Sequence, residues 1–87
     1  MRIDKFLKNS RLIKRRTVAK EACDAGRISI NDRICKAGTE VEVGDRIHIA
    51  FGNSTLDVKV LAVLDTVRKE DAATMYEVLD GPVDSSI

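Results

Sequence analysis

The sequence is poor in the residues that single-site chemistry usually needs. Its 87 residues include one proline, one histidine, two cysteines, no tryptophan and three aromatic side chains, Phe6, Phe51 and Tyr76. So few rings leave little for unpaired bases to stack on, which argues against a single-strand reader built on aromatic platforms. Cys23 and Cys35 have no CxxC partner and His48 is not at metal-ligand spacing, so no metal is expected and the cysteines read as buried free thiols. The longest nearly uncharged apolar run, Val60 to Leu64, is far shorter than the roughly 20 residues of a bilayer span, so no membrane partner is expected. No apolar signal segment opens the chain, because charges already stand at Arg2, Asp4 and Lys5, and a cytoplasmic protein is the expectation.

Catalysis finds no support either. His48 lies in an alternating stretch with no serine, cysteine or carboxylate at a diagnostic spacing. Glu70 and Asp71 are adjacent and point different ways on a helix, so they read as helix-start charges. Gly44-Asp45 lacks the flanking glycines of a phosphate-cradling loop and reads as a turn. No catalytic residue and no cofactor is expected.

What the chain does have is polarised charge. The formal net charge is +1, yet residues 1–36 carry eleven Lys/Arg against four Asp/Glu, a balance of +7. Residues 37–87 carry four against ten, a balance of −6. Such a chain can present a positive face to a polyanion while its other half does not.

Hydrophobic periodicity predicts an α+β fold. Ile3, Phe6 and Leu7 recur at i, i+3 and i+4, a short amphipathic helix. A second helix is predicted from about Lys14 to Ala25, with Val18, Ala19, Ala22, Cys23 and Ala25 on one face and Gly26 just past its end. Beyond Gly26 the period changes to two: Ile28–Ile30 and Arg33–Cys35 flank an Asn31-Asp32 turn, and Val41–Val43 and Ile47–Ile49 read as a second hairpin-like unit. Leu56–Val60 alternates again, and Ala72, Met75, Tyr76 and Leu79 suggest a closing helix. The expected architecture is two N-terminal helices packed on a small twisted antiparallel sheet of four or five strands, with a C-terminal helix. One domain is expected over 1–80, and Pro82 opens a flexible tail at 81–87.

Within the first 20 residues stand Arg2, Lys5, Lys8, Arg11, Lys14, Arg15, Arg16 and Lys20, and Asp4 is the only acid before Glu21. With few internal partners, these cations point to phosphate: guanidinium forks grip its oxygens and counterion release supplies affinity. Arg27, Arg33 and Lys36 follow. Recognition of folded RNA by backbone shape and charge suits this composition, and no side chain identifies itself as a base reader.

Arg2-Ile3-Asp4-Lys5-Phe6-Leu7, Arg15-Arg16-Thr17-Val18-Ala19, Gly26-Arg27-Ile28-Ser29-Ile30-Asn31, Lys36-Ala37-Gly38 and Val43-Gly44-Asp45-Arg46-Ile47 follow in order and spacing. In this the chain, over about residues 2 to 50, resembles the alpha-L RNA-binding domain of ribosomal small-subunit protein four. Asp32 departs from it, since the family often has glycine there. Met1 to Glu21 and the ending Glu70-Asp71-Ala72-Ala73-Thr74-Met75-Tyr76 resemble the stand-alone ribosome-quality-control members of RqcP type. That resemblance implies a monomeric, non-enzymatic factor bound to large-subunit ribosomal RNA and to the peptidyl-tRNA of a split, stalled ribosome. It implies a partnership with the tailing factor RqcH in alanine addition to the nascent chain. It also implies RNA contacts first at Arg2 and Arg16, then at Lys5, Lys8, Arg11, Lys14, Arg15 and Lys20. Two other readings stay open: a ribosome-associated heat-shock or assembly factor without a tailing role, and a protein-interaction module for an acidic partner.

Overall fold

The first helix, α1, runs Ile3–Asn9 and sinks Ile3, Phe6 and Leu7 completely into the core. Fully burying each such side chain contributes about 1.5–3 kcal/mol, which anchors a helix too short to hold itself in water. The second, α2, runs Arg16–Asp24 and packs through Ala19 and Cys23. Its apolar seam is narrower than the periodicity suggests, because Val18 and Ala25 stay exposed and Ala22 is half-buried. Beyond the C-cap Ala25, Gly26 turns left-handed at φ +76°. Its N–H donates to the Cys23 carbonyl and the N–H of Arg27 to that of Ala22, each at 3.0 Å. That reciprocal pair closes the helix as a Schellman motif, at a position where glycine avoids the Cβ clash.

The computed structural model describes residues 1–64 and 68–80, Lys69 in its backbone alone. Its sheet comprises β1 (Ile28–Ile30), β2 (Arg33–Ile34), β3 (Arg46–Phe51), β4 (Ser54–Val60) and β5 (Tyr76–Asp80), in spatial order β2-β1-β3-β4-β5 with every neighbour antiparallel. Ile28, Ile30, Ile47, Ile49, Val58 and Val60 point from one face into the core that α1 and α2 cover. Asn31 and Asp32, both left-handed at φ 51° and 71°, form the two-residue turn between β1 and β2. The Asn31 side-chain oxygen accepts the Arg46 backbone N–H at 3.0 Å, tying this turn to β3.

Two expected elements take another form. Val41–Val43 is not a strand of a second hairpin. The Val41 N–H donates to the Met1 carbonyl at 2.8 Å and the Ile3 N–H to the Thr39 carbonyl at 2.8 Å, so this segment pairs with the chain leading into α1. The two sides of β3 are already taken by β1 and β4. The expected C-terminal helix is a 3-10 helix over Lys69–Met75, which plugs Ala72 and Met75 into the core. The chain then extends, and Tyr76, Glu77 and Val78 pair with Val60, Lys59 and Val58 of β4. A spacing of three, Ala72 to Met75, suits either helix type, while Tyr76 and Val78 are at home in a strand. The expected tail at 81–87 lies outside the described residues.

Candidate nucleic-acid interface

Both helices start at an arginine N-cap, Arg2 for α1 and Arg15 for α2, and neither side chain caps the helix by hydrogen-bonding its first backbone N–H groups. The two starts meet at Asp4, a carboxylate only 3% exposed. Its Oδ1 accepts the Lys5 backbone N–H at 2.8 Å. Arg2 approaches with Nε at 3.4 Å and Nη2 at 3.5 Å, and Arg16 with Nε at 3.4 Å and Nη2 at 3.5 Å. Charge-assisted hydrogen bonds at full strength run about 2.7–2.9 Å, so this is a loose clamp. It orients two guanidinium groups without exhausting them. Their side chains are 52% and 47% exposed, and one carboxylate balances only one of the two charges.

The remaining sequence-predicted cations lie on the two helices and the loop between them. Lys20, four residues after Arg16, lies on the same flank of α2, and Lys8, four after Asp4, on the same flank of α1. Lys14 and Arg15 sit in the approach to α2 and are exposed, as are Lys8, Arg11 and Lys20; Lys5 is half-buried. Arg11 holds the turn after α1 in the left-handed region at φ +65°, with its N–H donating to the Lys8 carbonyl at 3.0 Å. A non-glycine residue there costs about 1–2 kcal/mol. Three other acids have partners away from this clamp: Asp32 holds Arg46 at 3.3 Å, Glu40 holds the Met1 amino group at 2.7 Å, and Asp57 holds His48 Nδ1 at 2.7 Å.

The role of one participant, Asp4, escapes a reading from sequence, and the loop at residues 36–38 is placed beside Arg2 only by the fold. In the sequence Asp4 stands out only as the sole acid before Glu21; its position beside Ile3 and three before Leu7, on the edge of the apolar stripe, was the available signal of its burial. Gly38 packs against Arg2: a Cβ added there would lie 3.8–3.9 Å from Arg2 Nη2, Cζ and Nε, an ordinary van der Waals contact, so the guanidinium rests on this loop whether or not the residue is glycine. Lys36 opens the same loop, exposed, with its N–H donating to Thr39 Oγ1 at 3.1 Å. The partner of His48 was also hidden, since Asp57 reaches it only through the β3–β4 register.

Cys23 and Cys35 are free and buried. Burial, then the neighbouring Cys35, pushes the Cys23 thiol up to about 12, and burial raises Cys35 as well. Neutral thiols are poor nucleophiles and poor metal ligands. Among the described residues no cluster of three or more His, Cys, Asp or Glu is placed to hold a metal ion, and no helix is long and apolar enough to cross a membrane.

Two arginines braced on a shared carboxylate, with further cations on two helices over an antiparallel sheet, form the kind of surface that a small nucleic-acid-binding domain presents. Comparison with known proteins narrows the class. Residues 1–47 match the S4 domain family. The chain is 58% identical to the RQC P-site tRNA stabilizing factor of Halalkalibacterium halodurans, covering 90% of this chain and 89% of that one. It is 56% identical to the factor of the same name from Streptococcus pneumoniae, covering 91% and 90%. The trimeric heat shock protein 15 of Vibrio cholerae has a similar structure, at TM-score 0.83 and 25% identity over 90% of this chain and 80% of that one. The chain therefore belongs to the S4-domain family, in its branch of RQC P-site tRNA stabilizing factors.

Proposed function

We propose that this chain is a non-enzymatic RNA-binding factor of ribosome quality control, which sits on the large subunit of a split, stalled ribosome and steadies the tRNA in its P site. The observation that carries the reading is the Arg2–Asp4–Arg16 clamp, a pre-oriented pair of guanidinium forks in a chain whose relatives are named for tRNA stabilisation. Arg2 and Arg16 grip the sugar-phosphate backbone of large-subunit ribosomal RNA and of peptidyl-tRNA, and Lys5, Lys8, Arg11, Lys14, Arg15 and Lys20 add phosphate contacts around them. The strained Arg11 turn supports its place there, since a cation is kept where glycine would be less costly. Holding tRNA in a productive position promotes a reaction without any chemistry by the holder. On this reading the chain works in the cytoplasm as a monomer, and RqcH-dependent alanine addition to the stuck nascent chain depends on it.

The test is co-sedimentation with large subunits, together with alanine tails on stalled chains in cells carrying Arg16→Ala. Loss of both is expected, and retention of both contradicts the proposal. The structural likeness to heat shock protein 15 favours a second reading, a ribosome-associated heat-shock factor without a tailing role. Deleting the gene separates the two, since only the first predicts that tails disappear. A protein-interaction module for an acidic partner predicts instead that captured partners survive nuclease treatment.

A further inference from the structure

Among the described residues nothing covers the face of the sheet turned away from α1 and α2, and its charges differ from those of the helical pair. Alternation along the strands brings Arg46 and His48 of β3, Asp57 and Lys59 of β4 and Glu77 of β5 to this face. A cleft of about 280 Å³ opens on it, lined by Asp32, Arg46, His48, Asp57, Leu79 and Asp80. Three carboxylates here meet one guanidinium and one imidazole. Asp32 is answered by Arg46 and Asp57 by His48. Asp80 stands opposite Asp57 in the β4–β5 register and has no charged partner among the described residues. Like charges directly across a sheet destabilise it, and a cation supplied from outside relieves them.

The cleft also has an apolar wall, Leu79, which is 46% exposed. An arginine or lysine side chain carries the complementary parts, an apolar stem and a cationic head. A phosphate would meet the carboxylates instead, so RNA is the wrong occupant. We propose that this cleft is a docking site for a basic segment of a partner protein, with one Arg or Lys side chain laid along Leu79 and its cation beside Asp57 and Asp80. The site does not depend on the RNA reading. It leaves the helical pair free, so the chain joins a polyanion on one face to a basic protein on the other.

The experiment is an NMR titration of the full, ¹⁵N-labelled chain with a hexa-arginine peptide and, separately, with a neutral peptide of equal length, at about 0.15 M salt. The largest amide shifts are expected at Asp32, Asp57, Leu79 and Asp80, from hexa-arginine alone. Asp80→Asn should weaken binding about three- to fivefold, the scale of one exposed ion pair. Asp80→Lys should weaken it further, while Glu42→Gln, outside the cleft, changes nothing. β5 is an exposed edge strand, so these variants keep the fold, which the unchanged remainder of the spectrum verifies. Shifts spread evenly over the other acids, or an Asp80→Lys chain that binds as tightly as the parent, would overturn the proposal. So would an RNA hairpin that perturbs the cleft amides in preference to the helical pair.

Discussion

The helical pair and the outer face of the sheet are built from the same residue types and do opposite things with them. On the helices one buried carboxylate, Asp4, serves two guanidinium groups and leaves positive charge over. On the sheet three carboxylates, Asp32, Asp57 and Asp80, line one cleft with a single guanidinium, Arg46, and the imidazole of His48, and leave negative charge over. A net charge of +1 conceals both faces. The difference teaches that the arrangement of partners, more than the number of charges, decides what each surface can bind. Asp32, Glu40 and Asp57 do not reach the Asp4 clamp, because they are occupied by Arg46, Met1 and His48.

Salt attacks the contrast most broadly. If about five phosphates are contacted, raising salt from about 50 to about 200 mM should cost affinity for large subunits on the order of a few hundredfold, while a flat profile would refute the electrostatic account. Next in size, replacing both Arg2 and Arg16 by Ala should lower that affinity about a hundredfold, because each charged hydrogen bond is worth about 1.5–3 kcal/mol. Sedimentation with purified subunits reads this directly.

Asp4→Asn sharpens the comparison by its sign. The substitution adds positive charge, so a surface acting by charge sum alone would bind RNA more tightly. The clamp predicts about fivefold weaker binding, with at most about 1 kcal/mol lost in stability since both arginines are half in water. Arg11→Gly should move the two readouts in opposite directions. Relief of the left-handed backbone raises stability by up to about 1 kcal/mol, visible as a melting temperature several degrees higher, while a phosphate contact disappears.

The core gives a check that is independent of binding. Cys23 titrates near 12 in the folded chain against an ordinary 9.0, so the folded state holds its proton more tightly. The stability this contributes is fully present below about pH 9 and is lost as pH rises toward 12. Native thiols should resist alkylation at pH 8 and react once urea unfolds the chain. Rapid native labelling would contradict the buried arrangement.

Much of the fold follows from local signals. Gly26 marked the end of α2 because only one backbone conformation completes that cap, and Asn31-Asp32 marked a hairpin because both residues tolerate positive φ. The failures were decided by tertiary context. Tyr76 to Asp80 carries both a helical and an alternating pattern, and the open side of β4 selects the strand. Val41 could have joined a hairpin, but pairing with Met1 buries it beneath the start of α1. The site was legible as a set of cations, not as a geometry. Its organising residue, Asp4, carries the opposite charge.

One measurement tests the central claim most directly: large-subunit binding by Arg16→Ala beside Arg46→Ala, at one salt concentration. Each variant loses a single guanidinium and carries the same net charge. The account predicts at least about a tenfold loss for Arg16→Ala, the scale of one charged hydrogen bond, and little change for Arg46→Ala. Equal losses would show that total charge is what matters, and an unaffected Arg16→Ala would remove the clamp from the interface.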